Sequence, residues 1–111
     1  MPYKSVEDLP IWNGMEVGRA DWPAGTDYAP LLEGLPDDLC QCPHWGYVIS
    51  GSLEMRYTDG SEEHIAAGNA FYMPPGHCAR TEDGVSFIAV SPEKESLVTQ
   101  AHTKAKKEAA Q

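Results

Sequence analysis

Apolar and polar residues alternate with a period of two along most of the first 91 positions, in short runs broken by turn residues. Met15, Val17, Arg19 and Asp21 alternate with Glu16, Gly18, Ala20 and Trp22, which predicts a strand over Met15–Trp22 without deciding its buried face. Residues 28–32 predict a further strand, placed at an edge because Pro30 cannot donate to a ladder. Residues 34–38 read as a loop. A strand rich in aromatic and β-branched residues follows over 39–50; Gly51-Ser52 turns it, and Leu53, Met55 and Tyr57 alternate with Glu54 and Arg56. Asp59-Gly60 is a hairpin signal leading into Glu62–Ala66. Ala70–Met73 is a short apolar strand stopped by Pro74-Pro75-Gly76, and residues 85–91 form the last strand.

Turn signals every 8 to 12 residues or so predict an antiparallel sandwich or barrel. The two ends differ from this middle. Residues 1–14 have no sustained period and read as an N-terminal arm ending in an Asn13-Gly14 turn. The barrel itself spans 15–92. Residues 93–111 are rich in Ala, Lys, Glu and Gln with almost no apolar stripe beyond Leu97 and Val98, which predicts a weak helix or a disordered tail.

Length and composition narrow the function. With 111 residues the chain suits one domain, and ten glycines with nine prolines suit many short elements joined by tight turns. No apolar run approaches the roughly 20 residues of a membrane helix, and the N-terminus has no run like a secretory signal, so a cytoplasmic protein that does not engage a membrane is expected. The net charge is −9, and the acids concentrate before residue 92. Such a surface repels phosphate backbones, which argues against nucleic acid as a partner.

Three cysteines, Cys40, Cys42 and Cys78, do not make a disulfide framework. On an extended strand the Cβ atoms of Cys40 and Cys42 would stand about 6.6 Å apart, against the roughly 3.8 Å a disulfide needs. Metal binding or inert burial remains. Cys40, Cys42 and His44 occupy alternate positions and so share one strand face, and thiolate and neutral imidazole are ligands that zinc prefers. A straight strand would hold Cys40 and His44 about 13 Å apart, too far for one ion. A bend at Pro43 would bring the three inward, with Cys42 and His44 needing the least distortion. His77, following Pro74-Pro75-Gly76, could supply a ligand from a second strand pair. Cys78 is expected to be packing, His64 a solvated strand residue, and His102 no part of the site.

The run His44-Trp45-Gly46-Tyr47-Val48-Ile49-Ser50-Gly51-Ser52-Leu53 resembles the end of the first motif of the cupin family, and Gly68-Asn69-Ala70-Phe71-Tyr72-Met73-Pro74-Pro75-Gly76-His77 resembles the second. The resemblance implies an all-β fold, an antiparallel double-stranded β-helix or jelly-roll barrel. It also implies a metal held by two histidines one residue apart, a glutamate a few residues on, and a histidine in the second motif. Here His44 stands where the glutamate is expected, Cys40 near the second histidine, and Ala79 where the second-motif histidine usually falls. Sulfur in place of these ligands favours zinc over iron or manganese as the divalent ion.

The expectation is a metal-binding barrel with Cys40, Cys42, His44 and His77 as ligands in its mouth, binding or transforming a small organic molecule held in the barrel. A ligand-sensing barrel without turnover, or a metal-free barrel with buried thiols, is the alternative, and whether the protein is an enzyme is open. Tyr3, Val6, Leu9, Ile11 and Trp12 make the arm too apolar for a free tail, which predicts a homodimer in which it crosses to a neighbouring barrel.

Overall fold

The structure, a computed structural model, describes residues 11–109, with Ile11 described by its backbone alone. Its strands are β1 (Ile11–Trp12), β2 (Met15–Trp22), β3 (His44–Tyr57), β4 (Glu62–Ala66), β5 (Ala70–Met73), β6 (His77–Arg80) and β7 (Val85–Pro92); helices α1 (Ala29–Leu32) and α2 (Glu93–Ala109) and a short 3₁₀ turn, Pro36–Asp38, complete it. All strand pairs are antiparallel. The arm residues Tyr3, Val6 and Leu9 lie outside the described residues.

Asn13 and Gly14 both adopt positive φ, 54° and 79°, the geometry of a two-residue hairpin turn between β1 and β2. On β2 the buried face is the one carrying Glu16, Ala20 and Trp22. The organising element is β3, 14 residues long, which runs through the position expected to turn. Its register against β7 shifts between Val48 and Ser50, and Gly51 takes φ 75°. A Cβ on Gly51 would lie 2.0 Å from the Gly84 carbonyl oxygen, so the close approach requires glycine. The first half of β3 pairs with β5 and β7, the second half with β4 and β6. A bulge thus bends one strand between two sheets, where the sequence pattern read two strands and a turn.

Two faces close on one core. Val48, Leu53, Met55, Phe71, Met73 and Phe87 fill it together with Trp22 and Ala20, each large apolar side chain contributing about 1.5–3 kcal/mol by leaving water. A second cluster, Leu32, Leu39, Cys40, Cys42 and Cys78, packs beneath α1.

One segment differs from expectation, and a second takes one of the two forms expected of it. Residues 29–32 form a helical turn and not an edge strand: the Asp27 carboxylate accepts from the Ala29 N–H at 2.9 Å, and Pro30 occupies the first turn, where its missing donor costs nothing. Of the two readings of the C-terminal segment, helix is the one that forms. Its anchors are polar: the buried Glu16 carboxylate accepts from Ser96 Oγ at 3.1 Å and from Gln100 Nε2 at 3.1 and 3.2 Å, while Leu97 and Val98 face solvent. Further along, His102 Nε2 reaches the Glu33 carbonyl at 2.7 Å, and Lys107 lies over the Tyr28 ring. Glu93 and Glu95 in the first turn and Lys106 and Lys107 in the last suit the helix dipole. Among the described residues no helix is long and apolar enough to cross a membrane.

Candidate metal centre

At one end of the barrel, where β3 and β6 begin and β7 ends, three of the predicted side chains meet. One donor atom from each of Cys40, His44 and His77 lies within 4.8 Å of the other two. Local backbone explains two of them. Cys40 and His77 form an antiparallel bridge and exchange both backbone bonds, Cys40 N to His77 O at 2.9 Å and His77 N to Cys40 O at 3.2 Å. Residues paired this way put their side chains on the same side of the ladder. Gly76 makes the approach possible: at φ 86° its N–H also bonds the Cys40 carbonyl, at 2.8 Å.

The third member comes from the first residue of β3. Residues 41–43 lie outside regular strand, so the two-residue alternation is lost before His44. The bend brings Cys40 Sγ to 3.8 Å from His44 Nε2. Cys42 is not among the three: its sulfur turns to the Pro43 carbonyl at 3.5 Å, inside the apolar cluster. The pair with the shorter separation in sequence is therefore not the pair that meets.

Hydrogen bonds orient both rings. His77 Nδ1 stands 2.7 Å from the Pro74 carbonyl oxygen. A carbonyl can only accept, so Nδ1 carries the proton and Nε2 keeps a free lone pair. His44 Nδ1 lies 2.5 Å from Ser91 Oγ, a hydroxyl able to donate or accept; in the tautomer where Nδ1 donates to it, Nε2 is free on the side of Cys40. The rings meet edge to face with centroids 5.0 Å apart.

The electrostatics favour neutral groups. Burial, with the neighbouring His77 second, pushes His44 down to about 3, although part of its side chain stays exposed. Burial also lowers His77, against the Pro74 hydrogen bond. Burial raises the Cys40 thiol, opposed by contacts from the Cys42 backbone and the Thr99 hydroxyl. Cys42 is pushed up to about 12, by burial first and then by Cys40, Glu95 and Glu16.

This donor set fits a zinc ion. Ligands of a tetrahedral zinc stand roughly 3.3–3.8 Å from one another, so the three donors need to close by about 1.5 Å at most. The same set also suits other divalent ions that accept imidazole and sulfur. Helix α2 lies over the site, with Thr99 Oγ1 3.8 Å from Cys40 Sγ.

Residues outside the cluster fall as follows. Cys78 packs in the second apolar cluster, His64 is an exposed β4 residue paired with Glu54, and all three cysteines are free thiols. A cavity of about 200 Å³ opens elsewhere, among Asp27, Glu54, Arg56, Glu62, Cys78 and Arg80. It includes none of the three donors. Sequence reasoning missed Ser91 and Glu16. Glu16 was discoverable only as the acid that shares a strand face with Ala20 and Trp22.

No family model and no curated protein matches the sequence. Solved structures do resemble it. An RmlC-like cupin family protein with a double-stranded β-helix fold from Methanocaldococcus jannaschii superposes with a TM-score of 0.59 at 16% identity, covering 86% of this chain and 93% of that one. A putative ethanolamine utilization protein, EutQ, from Salmonella typhimurium gives 0.55 at 20% identity over 73% of this chain and 60% of its own. DMSP lyase DddQ from Ruegeria pomeroyi gives 0.55 at 15% identity over 73% of this chain. The chain spans only 39% of that lyase's length. At these identities the likeness is one of fold.

Proposed function

We propose that this chain, a small cupin-fold protein, holds one divalent metal ion, zinc ahead of iron or manganese, on Cys40, His44 and His77, and binds a small organic molecule beside it. The observation that carries this reading is the convergence of one sulfur and two ring nitrogens within 4.8 Å at the barrel mouth. Three protein ligands leave zinc one position for an exogenous group, where the ion supplies Lewis acidity. The chain's own part is to keep both imidazoles neutral, to fix the His77 tautomer through Pro74, to hold the His44 ring against Ser91, and to shield the site with α2. Cys42 stands outside this ligand set and is proposed as packing.

Likeness to EutQ and to DMSP lyases supports a small molecule as the ligand class. Recognition without turnover is the second reading, favoured by the contact of Thr99 Oγ1, on the covering helix, with the Cys40 sulfur at 3.8 Å. A cytoplasmic location and a homodimeric state belong to the same proposal.

The test is reconstitution of the purified chain with zinc, iron(II) or manganese(II), followed by elemental analysis and X-ray absorption. One zinc per chain with a single sulfur in its first shell is the expected result. A chain that retains none of the three metals after dialysis overturns the reading.

A further inference from the structure

The outer face of the larger sheet is apolar where a solvated antiparallel sheet is ordinarily polar. Strand register defines it row by row. Val17, Val90, Trp45 and Tyr72 lie side by side across β2, β7, β3 and β5; the next row is Arg19, Ile88, Tyr47 and Ala70. On the other side of the first row, Trp12 stands opposite Met15, which stands opposite Pro92. The inward residues between these rows, among them Ala89, Phe71 and Met73, are buried in the core, so the face just described is the outer one. Trp12 is 64% exposed, Trp45 43%, Tyr47 47% and Tyr72 50%, with Trp45 and Tyr72 stacked at 5.3 Å.

We infer that this face packs against the same face of a second copy of the chain, forming a two-fold dimer through the row Val17, Val90, Trp45, Tyr72 and the row Ile88, Tyr47. The inference rests on the homodimer reading above and gives it a surface. Three observations select a second copy. The four aromatic side chains alone expose roughly 300–500 Å², already the size of the largest patch on an ordinary monomer; with Met15, Val17, Ile88 and Val90 the face approaches the roughly 800 Å² per partner of a stable interface. The charges on it balance, because Arg19 and Asp21 pair at 3.2 Å. A chain of net charge −9 could therefore meet its copy here without like charges opposed, whereas a basic partner would find nothing on this face to bind. Lastly, the face is self-complementary in kind: apolar rows meet apolar rows about 10 Å apart, as in stacked sheets, and the polar Arg19, Asp21 and Ser86 lie to one side as a rim.

Sedimentation velocity of the full chain across about a hundredfold range of micromolar concentration tests the surface. The expected result is a species of twice the 12.1 kDa chain mass, with Tyr47→Glu and Ile88→Glu each raising the dissociation constant by about 30-fold or more. Glu62→Ser on β4 serves as the control and leaves it unchanged. Hydroxyl-radical footprinting of the unmutated chain reads the same face without a substitution: Trp45, Tyr47 and Tyr72 become protected as concentration rises. A monomer at every concentration overturns both the homodimer and the surface. A dimer that ignores both variants and gives no protection overturns the surface alone. Protection that persists at the lowest concentration in a monomer means that the chain's own first ten residues, or another segment, cover the face, which also overturns the inference.

Discussion

Ser91 Oγ lies 2.5 Å from His44 Nδ1, on the opposite side of the ring from the nitrogen that faces Cys40. When Nδ1 donates to this hydroxyl, Nε2 keeps its lone pair, the tautomer that a metal on Nε2 requires, and Ser91 is itself buried at the end of β7. Ser91→Ala is expected to weaken zinc binding by about 10- to 100-fold, the usual effect of removing an outer partner of a metal-bound imidazole. Competition against a chromophoric chelator measures it. Unchanged affinity would remove Ser91 from the site.

The two nearby cysteines should separate cleanly. Cys40→Ala is expected to abolish stoichiometric zinc retention, while Cys42→Ala keeps one zinc per chain and loses stability, by about 1–2 kcal/mol for a small buried side chain. Elemental analysis of both variants, with chemical denaturation, gives the answer. Loss of zinc from Cys42→Ala alone would show that the bend at Pro43 rearranges around the ion.

Metal binding should release one proton per ion near neutral pH. Burial raises the Cys40 thiol above its ordinary range, so it is protonated in the metal-free chain, whereas both histidines are held below theirs and are already neutral. Zinc affinity is therefore expected to rise about tenfold per pH unit between roughly pH 7 and 8.5, the slope of a single displaced proton. A slope near zero would mean a thiolate in the metal-free site. Folding stability of the metal-free chain has its own sign. His44 has a folded value of about 3 against 6.5 unfolded, so below pH 6.5 the unfolded chain binds a proton that the folded one refuses. Stability is expected to fall with pH from 6.5 toward 3, by up to about 1.4 kcal/mol per unit from this group, and pH-dependent denaturant titration of wild type and His44→Gln separates its share.

Much of this architecture was legible in residue pattern. The two-residue alternation placed β2 at its observed bounds, turn residues on either side placed β4 and the short apolar β5, and the hairpin turns at 13–14 and 59–60 followed from residues that tolerate positive φ. What the pattern could not carry was long-range. Gly51 reads locally as a turn, and only its contact with Gly84, 33 positions on, makes it a bulge inside one strand. Cys40, Cys42 and His44 share a strand face by counting, but counting assumes a strand, and residues 41–43 leave it. Helix α2 eluded an apolar-stripe criterion because a buried carboxylate, Glu16, and not an apolar seam, holds it.

That carboxylate makes the helix testable. Glu16→Ala would leave Ser96 and Gln100 with each other but without their shared acceptor in a buried place, a cost of about 1–3 kcal/mol. A domain of this size loses about 4–8 °C of Tm per kcal/mol. Amide exchange should show α2 losing protection before the strands do. Uniform loss across the chain would contradict a separately held helix.

Gly76 couples the scaffold to the centre. A Cβ there would lie 2.0 Å from Thr58 Oγ1, and the left-handed φ of 86° disfavours any other residue. The Thr58 side chain can yield to relieve the clash, but the backbone strain stays, at about 1–3 kcal/mol. Because the N–H groups of Gly76 and His77 both bond the Cys40 carbonyl, the strain falls on the contact that sets two of the three donors. Gly76→Ala is expected to lower Tm and to weaken zinc binding together, and Thr58→Ala in that background to recover part of the stability. Thermal melts with and without zinc measure both effects. If Gly76→Ala matched wild type in Tm and affinity, the turn would not be what positions His77 against Cys40.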